Sequence, residues 1–326
     1  MNWFRRQTVI FKIGIIIILI LGCIVLLRGG NIKKIEVAQT GTYTYTGATN
    51  YTNTCTGGFV CTNIAYNDIN NKPVNVVVFS DKLTTPSPVD LVDVLVVYHG
   101  TVDTNDKIEG AAKQTLAQFK NILSSQNKDM LIISVAYPEG DLLMGDNVTA
   151  SLAALDWALD KTGVNGASKT LGVNINKVFI AGHSQGGYTV VRLNSLRETA
   201  GVIANAPGPI DLVYRCGLDE ATKNGKSSKT CVNLYNEYGS VSTNPNPYKD
   251  RSLSGFTNNF KSDILLNQGM QDDEIQIYLW PGFKQQVKDC TTCKETKFVE
   301  VQGKHASLFV NPISIQEFNT FISTRR

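Results

Sequence analysis

The sequence predicts an α/β fold, with a mostly parallel central sheet covered by helices on both faces. Three observations carry this reading. Apolar, β-branched runs recur from residue 74 onward, and segments of helical character separate them. The runs, such as Val94-Leu95-Val96-Val97 and Leu131-Ile132-Ile133, are continuously apolar, as strands buried on both faces are. Nothing repeats at a fixed period, so a solenoid or propeller is not indicated.

In chain order, strands are expected at Val74–Phe79 and Val92–Tyr98, then a helix over Ile108–Ser125 and a strand at Met130–Ala136. A helix at Val148–Leu159 precedes a strand at Lys177–Ala181, a helix at Gly187–Leu196 and a strand at Gly201–Ala204. Residues 207–261 interrupt the alternation. They are polar, rich in Asn, Ser, Lys and Gly, and read as an insertion or lid over the site, since long loops in compact domains are usually functional or stapled. The pattern resumes with a strand at Asp263–Asn267, a helix at Gly282–Lys288, a strand at Lys297–Val301 and a final helix at Ile313–Ile322.

Ahead of this domain, residues 1–35 read as a membrane anchor and tether, which leaves 36–326 as the folded domain. Ile13 to Leu27 is unbroken apolar sequence, and Lys12 can snorkel to the interface and lengthen the usable span. A cleaved signal peptide would need a small-residue site, which does not follow Leu27; a lipoprotein box around Cys23 is spoiled by the bulky Leu21. A signal anchor with the domain on the extracytoplasmic side is the expectation, with secretion as the alternative if the segment is cleaved. Residues 31–73 read as tether and then a small β-rich lead-in, with Thr40–Thr46 as an exposed strand. Asn50-Tyr51-Thr52 and Asn147-Val148-Thr149 are glycosylation sequons.

The formal charge of +3 comes from the leading segment. Six basic side chains and no acid lie in residues 1–34, leaving 25 basic against 28 acidic residues in the body. That balance gives no reason to expect nucleic-acid binding. Beyond Cys23, six cysteines fall into local pairs separated by 6, 15 and 3 positions: Cys55–Cys61, Cys216–Cys231 and Cys290–Cys293. Disulfides and an oxidising compartment are expected. Zinc at Cys290-Thr291-Thr292-Cys293 would need further ligands nearby, and His305 is the nearest histidine.

The chemistry centres on Gly182-His183-Ser184-Gln185-Gly186-Gly187, where a strand meets a helix. Gly-x-Ser-x-Gly places serine on a strained turn, and Gly182 and Gly186 let strand and helix approach. The helix N-terminus favours negative charge developing there. Serine needs a base, and the chain has three histidines: His99, His183 and His305. His183, within the elbow, is expected to point elsewhere. His305 follows the last strand and is the expected base. A carboxylate must orient it. Asp272, three residues after Gly269, suits a turn beyond the strand; Asp273 and Glu274 compete with it.

The order Ser184, Asp272, His305, with 88 and 33 positions between members, resembles the α/β-hydrolase superfamily over residues 74–326. The Gly182–Tyr188 elbow and the Leu266–Asp272 loop are most similar to its dienelactone-hydrolase and prolyl-oligopeptidase-like branch. The resemblance implies an oxyanion hole from the backbone N–H groups of Gln185 and Thr101, with His99 bracing the latter's loop. It implies a serine hydrolase that uses no metal or organic cofactor and acts on a small-molecule or acyl-bearing substrate, ester first, amide or thioester next. The propeller of prolyl oligopeptidases and the His-Gly-Gly-Gly run of hormone-sensitive-lipase-like esterases are absent from the sequence. A catalytically silent binding or adhesion ectodomain on the same fold is the alternative. Trp157 and Trp280 could wall a pocket or fill the core.

Overall fold

A computed structural model describes residues 45–51, 59–67, 73–81, 91–138, 143–222 and 228–326. The expected membrane segment, its tether, Thr40–Thr44 and Cys55 lie outside the described residues. Among the described residues, no helix is long and apolar enough to cross a membrane.

One sheet organises the domain. Its strands are β1 (Tyr45–Tyr51), β2 (Phe59–Asn67), β3 (Pro73–Asp81), β4 (Leu91–Tyr98), β5 (Leu131–Ala136), β6 (Asn174–His183), β7 (Gly201–Asn205), β8 (Ile264–Gly269) and β9 (Thr296–Val301). They lie in the order β1-β2-β3-β5-β4-β6-β7-β8-β9. From β5 to β9 every pairing is parallel, while β1, β2 and β3 join as an antiparallel flank through β3–β5. The β-rich lead-in is therefore part of the main sheet. Its first strand begins at Tyr45, within the stretch expected to form a solvated strand.

The continuously apolar strands divide their side chains between two cores, as a period of two requires. On β4, Val94, Val96 and Tyr98 enter one core and Leu95 and Val97 the other. Helix α1 (Ile108–Ile122) buries Ile108, Ala112, Leu116, Phe119 and Ile122, the stripe expected of a helix laid on a sheet. It shares its face with α9 (Pro312–Ser323), through Phe318, Phe321 and Ile322. The opposite face carries α2 (Val148–Leu159), α4 (Gln185–Leu196) and α8 (Glu274–Lys288), with Trp157 and Trp280 buried among them as core residues. A short α3 (Ala167–Leu171) leads into β6.

Boundaries follow local chemistry. Helix α8 begins at Glu274, eight residues before the expected Gly282, because the Asp273 side chain accepts the N–H groups of Ile275 and Gln276 as a cap, and the helix runs through Pro281. The insertion is helical: α5 (Leu212–Thr222), α6 (Lys229–Tyr238), α7 (Asn246–Lys249) and a 3-10 turn at Leu253–Phe256. The Cys216–Cys231 disulfide joins α5 to α6, and Cys290 is bonded to Cys293 after α8, which uses both sulfurs of the Cys-Thr-Thr-Cys run. Asn147 is 1% exposed at the start of α2, so the second sequon cannot accept a glycan in this fold.

Candidate active site

The chain passes from β4 through α1 to β5 on one side of β4, then crosses back to β6 on the other. Loops leaving the carboxyl ends of β4 and β6 therefore diverge and open a crevice, the place where such sheets bind ligands. Thr101 follows β4 and Ser184 follows β6.

Ser184 has φ 60° and ψ −120°, a backbone state strained for any residue with a side chain. The turn is held by its surroundings. Its N–H donates to Asn205 O at 2.9 Å, and its carbonyl accepts from Tyr188 N at 3.0 Å and Gly208 N at 3.4 Å. The flanking glycines are required by space. A Cβ on Gly182 would lie 2.1 Å from Gly186 O, and one on Gly186 would lie 2.0 Å from Tyr98 O. Strand and helix meet this closely only without those side chains, and the result presents the Ser184 hydroxyl at the head of α4.

The β4 loop runs beside the serine: a Cβ on Gly100 would stand 3.4 Å from Ser184 Cβ and 4.0 Å from Oγ. The hydroxyl of Thr101 donates to Gln185 Oε1 at 2.9 Å, tying this loop to the first turn of α4. Among the described residues, neither the Thr101 nor the Gln185 backbone N–H donates to a protein acceptor. Both are free to serve a developing oxyanion. His99 is buried, stacks on Tyr137 with centroids 3.9 Å apart, and has its carbonyl held by the Tyr137 hydroxyl. Burial lowers its pKa, so the ring is a neutral brace behind the loop.

Asp272 and His305 come together from the loops after β8 and β9. His305 Nδ1 donates to Asp272 Oδ2 at 2.7 Å. The Asp272 side chain is 3% exposed and that of His305 is 42% exposed, so the acid is enclosed and the ring is open to the crevice. Burial alone would raise the Asp272 pKa. The hydrogen bonds from His305, from the Asp273 N–H at 2.7 Å and from Gln268 Nε2 at 2.9 Å outweigh it and hold the carboxyl below its ordinary range. Asp273 takes other work, capping α8 and pairing with Arg215 at 3.7 Å.

His183 does not point elsewhere. Its Nε2 donates to the His305 carbonyl at 3.0 Å, and the two rings lie 4.5 Å apart. Sequence reading also missed Gln268, the second side-chain donor to Asp272, whose own side-chain oxygen accepts from Gln276 at 3.2 Å. Nor did it anticipate the fastenings of the insertion. Arg215 of α5 reaches Asp273 beside the acid, Tyr214 stacks on the exposed Tyr278 at 5.0 Å, and Lys229 of α6 donates to Asp103 O at 2.6 Å, beside Thr101. Long polar side chains in a polar stretch carry no sequence signal for such contacts. Among the described residues, no group of three or more His, Cys, Asp or Glu is placed to hold a metal ion.

The sheet order, its switch point and the strained serine turn define an α/β-hydrolase fold. Solved structures bear this out. Esterase Pf2001 of Pyrococcus furiosus superposes with a TM-score of 0.53 at 14% identity, covering 82% of this chain and 91% of that one. Brefeldin A esterase, described as a bacterial homologue of human hormone-sensitive lipase, gives 0.53 at 13% identity over 84% of this chain and 79% of its own. The acylaminoacyl peptidase of Pyrococcus horikoshii gives 0.53 at 14% identity, over 82% of this chain but only 42% of the peptidase. No protein-family model matches the chain, and no curated protein matches it by sequence.

Proposed function

We propose that the chain is a serine hydrolase that cleaves a carboxylic ester through an acyl-enzyme on Ser184. The observation that carries this reading is the 2.7 Å bond between a buried Asp272 and an open His305 on separate loops, at the crevice where the strained Ser184 stands. With Nδ1 donating to Asp272, the free Nε2 of His305 is the lone-pair nitrogen that a general base needs. His305 takes the Ser184 proton, and the oxygen attacks the ester carbonyl. The Gln185 and Thr101 amides receive the oxyanion, and Asp272 stabilises the imidazolium. His305 then protonates the leaving alcohol, and water activated by the same ring releases the acid. Esters come before amides because two of the similar structures are esterases, while the peptidase has more than half its length outside the match.

In the same reading, residues 13–27 anchor the protein to a membrane, and the domain works on the extracytoplasmic side; the Cys216–Cys231 and Cys290–Cys293 disulfides support an oxidising compartment. Residues 207–261 roof the site.

The test is labelling of the full chain with a fluorophosphonate probe, beside Ser184→Ala and His305→Ala. Labelling of the wild type that is lost in the serine variant is expected. A folded wild type that takes no label would remove the enzyme reading and leave a tethered binding domain.

A further inference from the structure

We propose that His183 is a positioning residue: its ring N–H fastens the backbone of His305 to the residue preceding Ser184, so that nucleophile and base are held as one unit. This deepens the proposed function and rests on it. The placement begins with strand parity. Along β6, Phe179 and Ala181 face the core covered by α1 and α9, and two residues further His183 projects to that same side. There it meets the 3-10 turn His305–Phe309, which precedes α9. Its ring lies 4.5 Å from that of His305 and 5.2 Å from that of Phe309, edge-on to the latter.

A carbonyl oxygen can only accept, so the 3.0 Å contact with His305 O fixes the proton of His183 on Nε2. His305 is thereby pinned at two points from two directions. Asp272 holds the ring through Nδ1, and His183 holds the main chain. Without the second, the ring could pivot about its bond to Asp272 and carry Nε2 away from Ser184. The groups facing His183 are His305, with Asp272 behind it, and Phe309. Burial and the neighbouring His305 push the His183 pKa down to about 4, so the ring stays neutral and adds no charge beside the imidazolium that forms on His305.

The test compares His183→Gln, whose side-chain amide can restore the donor, with His183→Phe, which keeps a ring of similar size and no donor. Both are made in the full chain, with a p-nitrophenyl ester as substrate and thermal melting as the check on folding. His183→Phe should lose roughly 10- to 100-fold in kcat, the scale of an ångström-level misplacement, with KM within about 2-fold of wild type, and His183→Gln should recover most of the loss. A His183→Phe variant with wild-type kcat overturns the proposal, and so does a glutamine variant as slow as the phenylalanine one. A second readout does not depend on turnover. With three histidines in the chain, signals from 13C-histidine-labelled protein assign readily. The His305 carbonyl 13C signal, which reads the hydrogen bond directly, should move in His183→Phe and stay near its wild-type position in His183→Gln. A His305 signal unmoved in both variants overturns the proposal even where no ester is cleaved; an inactive wild type with the expected shifts would remove only the hydrolase reading.

Discussion

Asp272 Oδ1 accepts the backbone N–H of Asp273 at 2.7 Å, so these adjacent acids are bonded to each other while their carboxylates do different work. The first faces His305 and is enclosed. The second is half exposed and caps α8. Sequence spacing ranked them but could not separate them.

Asp272→Asn is expected to keep the fold while kcat falls by about 10⁴-fold, because the amide can no longer hold the imidazole in its working tautomer and balance its charge. Asp273→Asn should leave kcat within a few-fold, since Asn also caps helices well. Asp273→Ala should cost about 1 kcal/mol of stability at the head of α8. Ester turnover and denaturant melts of the three variants check this; a large kcat loss confined to Asp273 would reverse the assignment.

His183 also links stability to pH. Its pKa is near the ordinary 6.5 in the unfolded chain and about 4 in the fold. Between those values the unfolded state binds more protons, so stability rises with pH in that window. The contribution is complete above about pH 6.5 and is lost progressively as pH falls toward 4. Thermal midpoints should therefore drop more from pH 7 to pH 4.5 for the wild type than for His183→Gln. Parallel pH profiles in the two proteins would contradict this.

The Cys216–Cys231 bond closes a loop of 15 positions, for which the chain-entropy argument gives about 3 kcal/mol. Replacing both cysteines by serine is expected to lower the thermal midpoint and to open cleavage sites for a protease within 207–261 before the sheet is attacked. Equal protection of the insertion in both proteins would show that its packing suffices without the bond. Cys290–Cys293, separated by 3 positions, closes a much smaller loop, and its removal should cost less.

The parts of the fold that were legible were those set by local rules. β4 and β5 announce themselves as continuously apolar runs because both faces are covered. The elbow was legible because few residue types other than glycine fit at Gly182 and Gly186, and His305 because the chain has so few histidines. What escaped depended on distant partners. The pairing of β3 with β5 that draws β1 and β2 into the main sheet joins residues more than fifty positions apart. Helix α5 buries only Leu212 and Cys216, too thin an apolar stripe to stand out from a polar stretch. The role of His183 lies in a bond to a backbone carbonyl 122 positions away, and no side-chain pattern encodes a carbonyl.

Two polar fastenings of the insertion have a mechanical consequence. Both flank the Cys216–Cys231 bond: Lys229 is tied to the carbonyl of Asp103, on the loop that carries Thr101, and Arg215 to Asp273, next to Asp272. Any shift of this stapled pair of helices therefore pulls on the loops after β4 and β8 together. Two loops with two strands of the sheet between them are thereby joined through one covalently closed element.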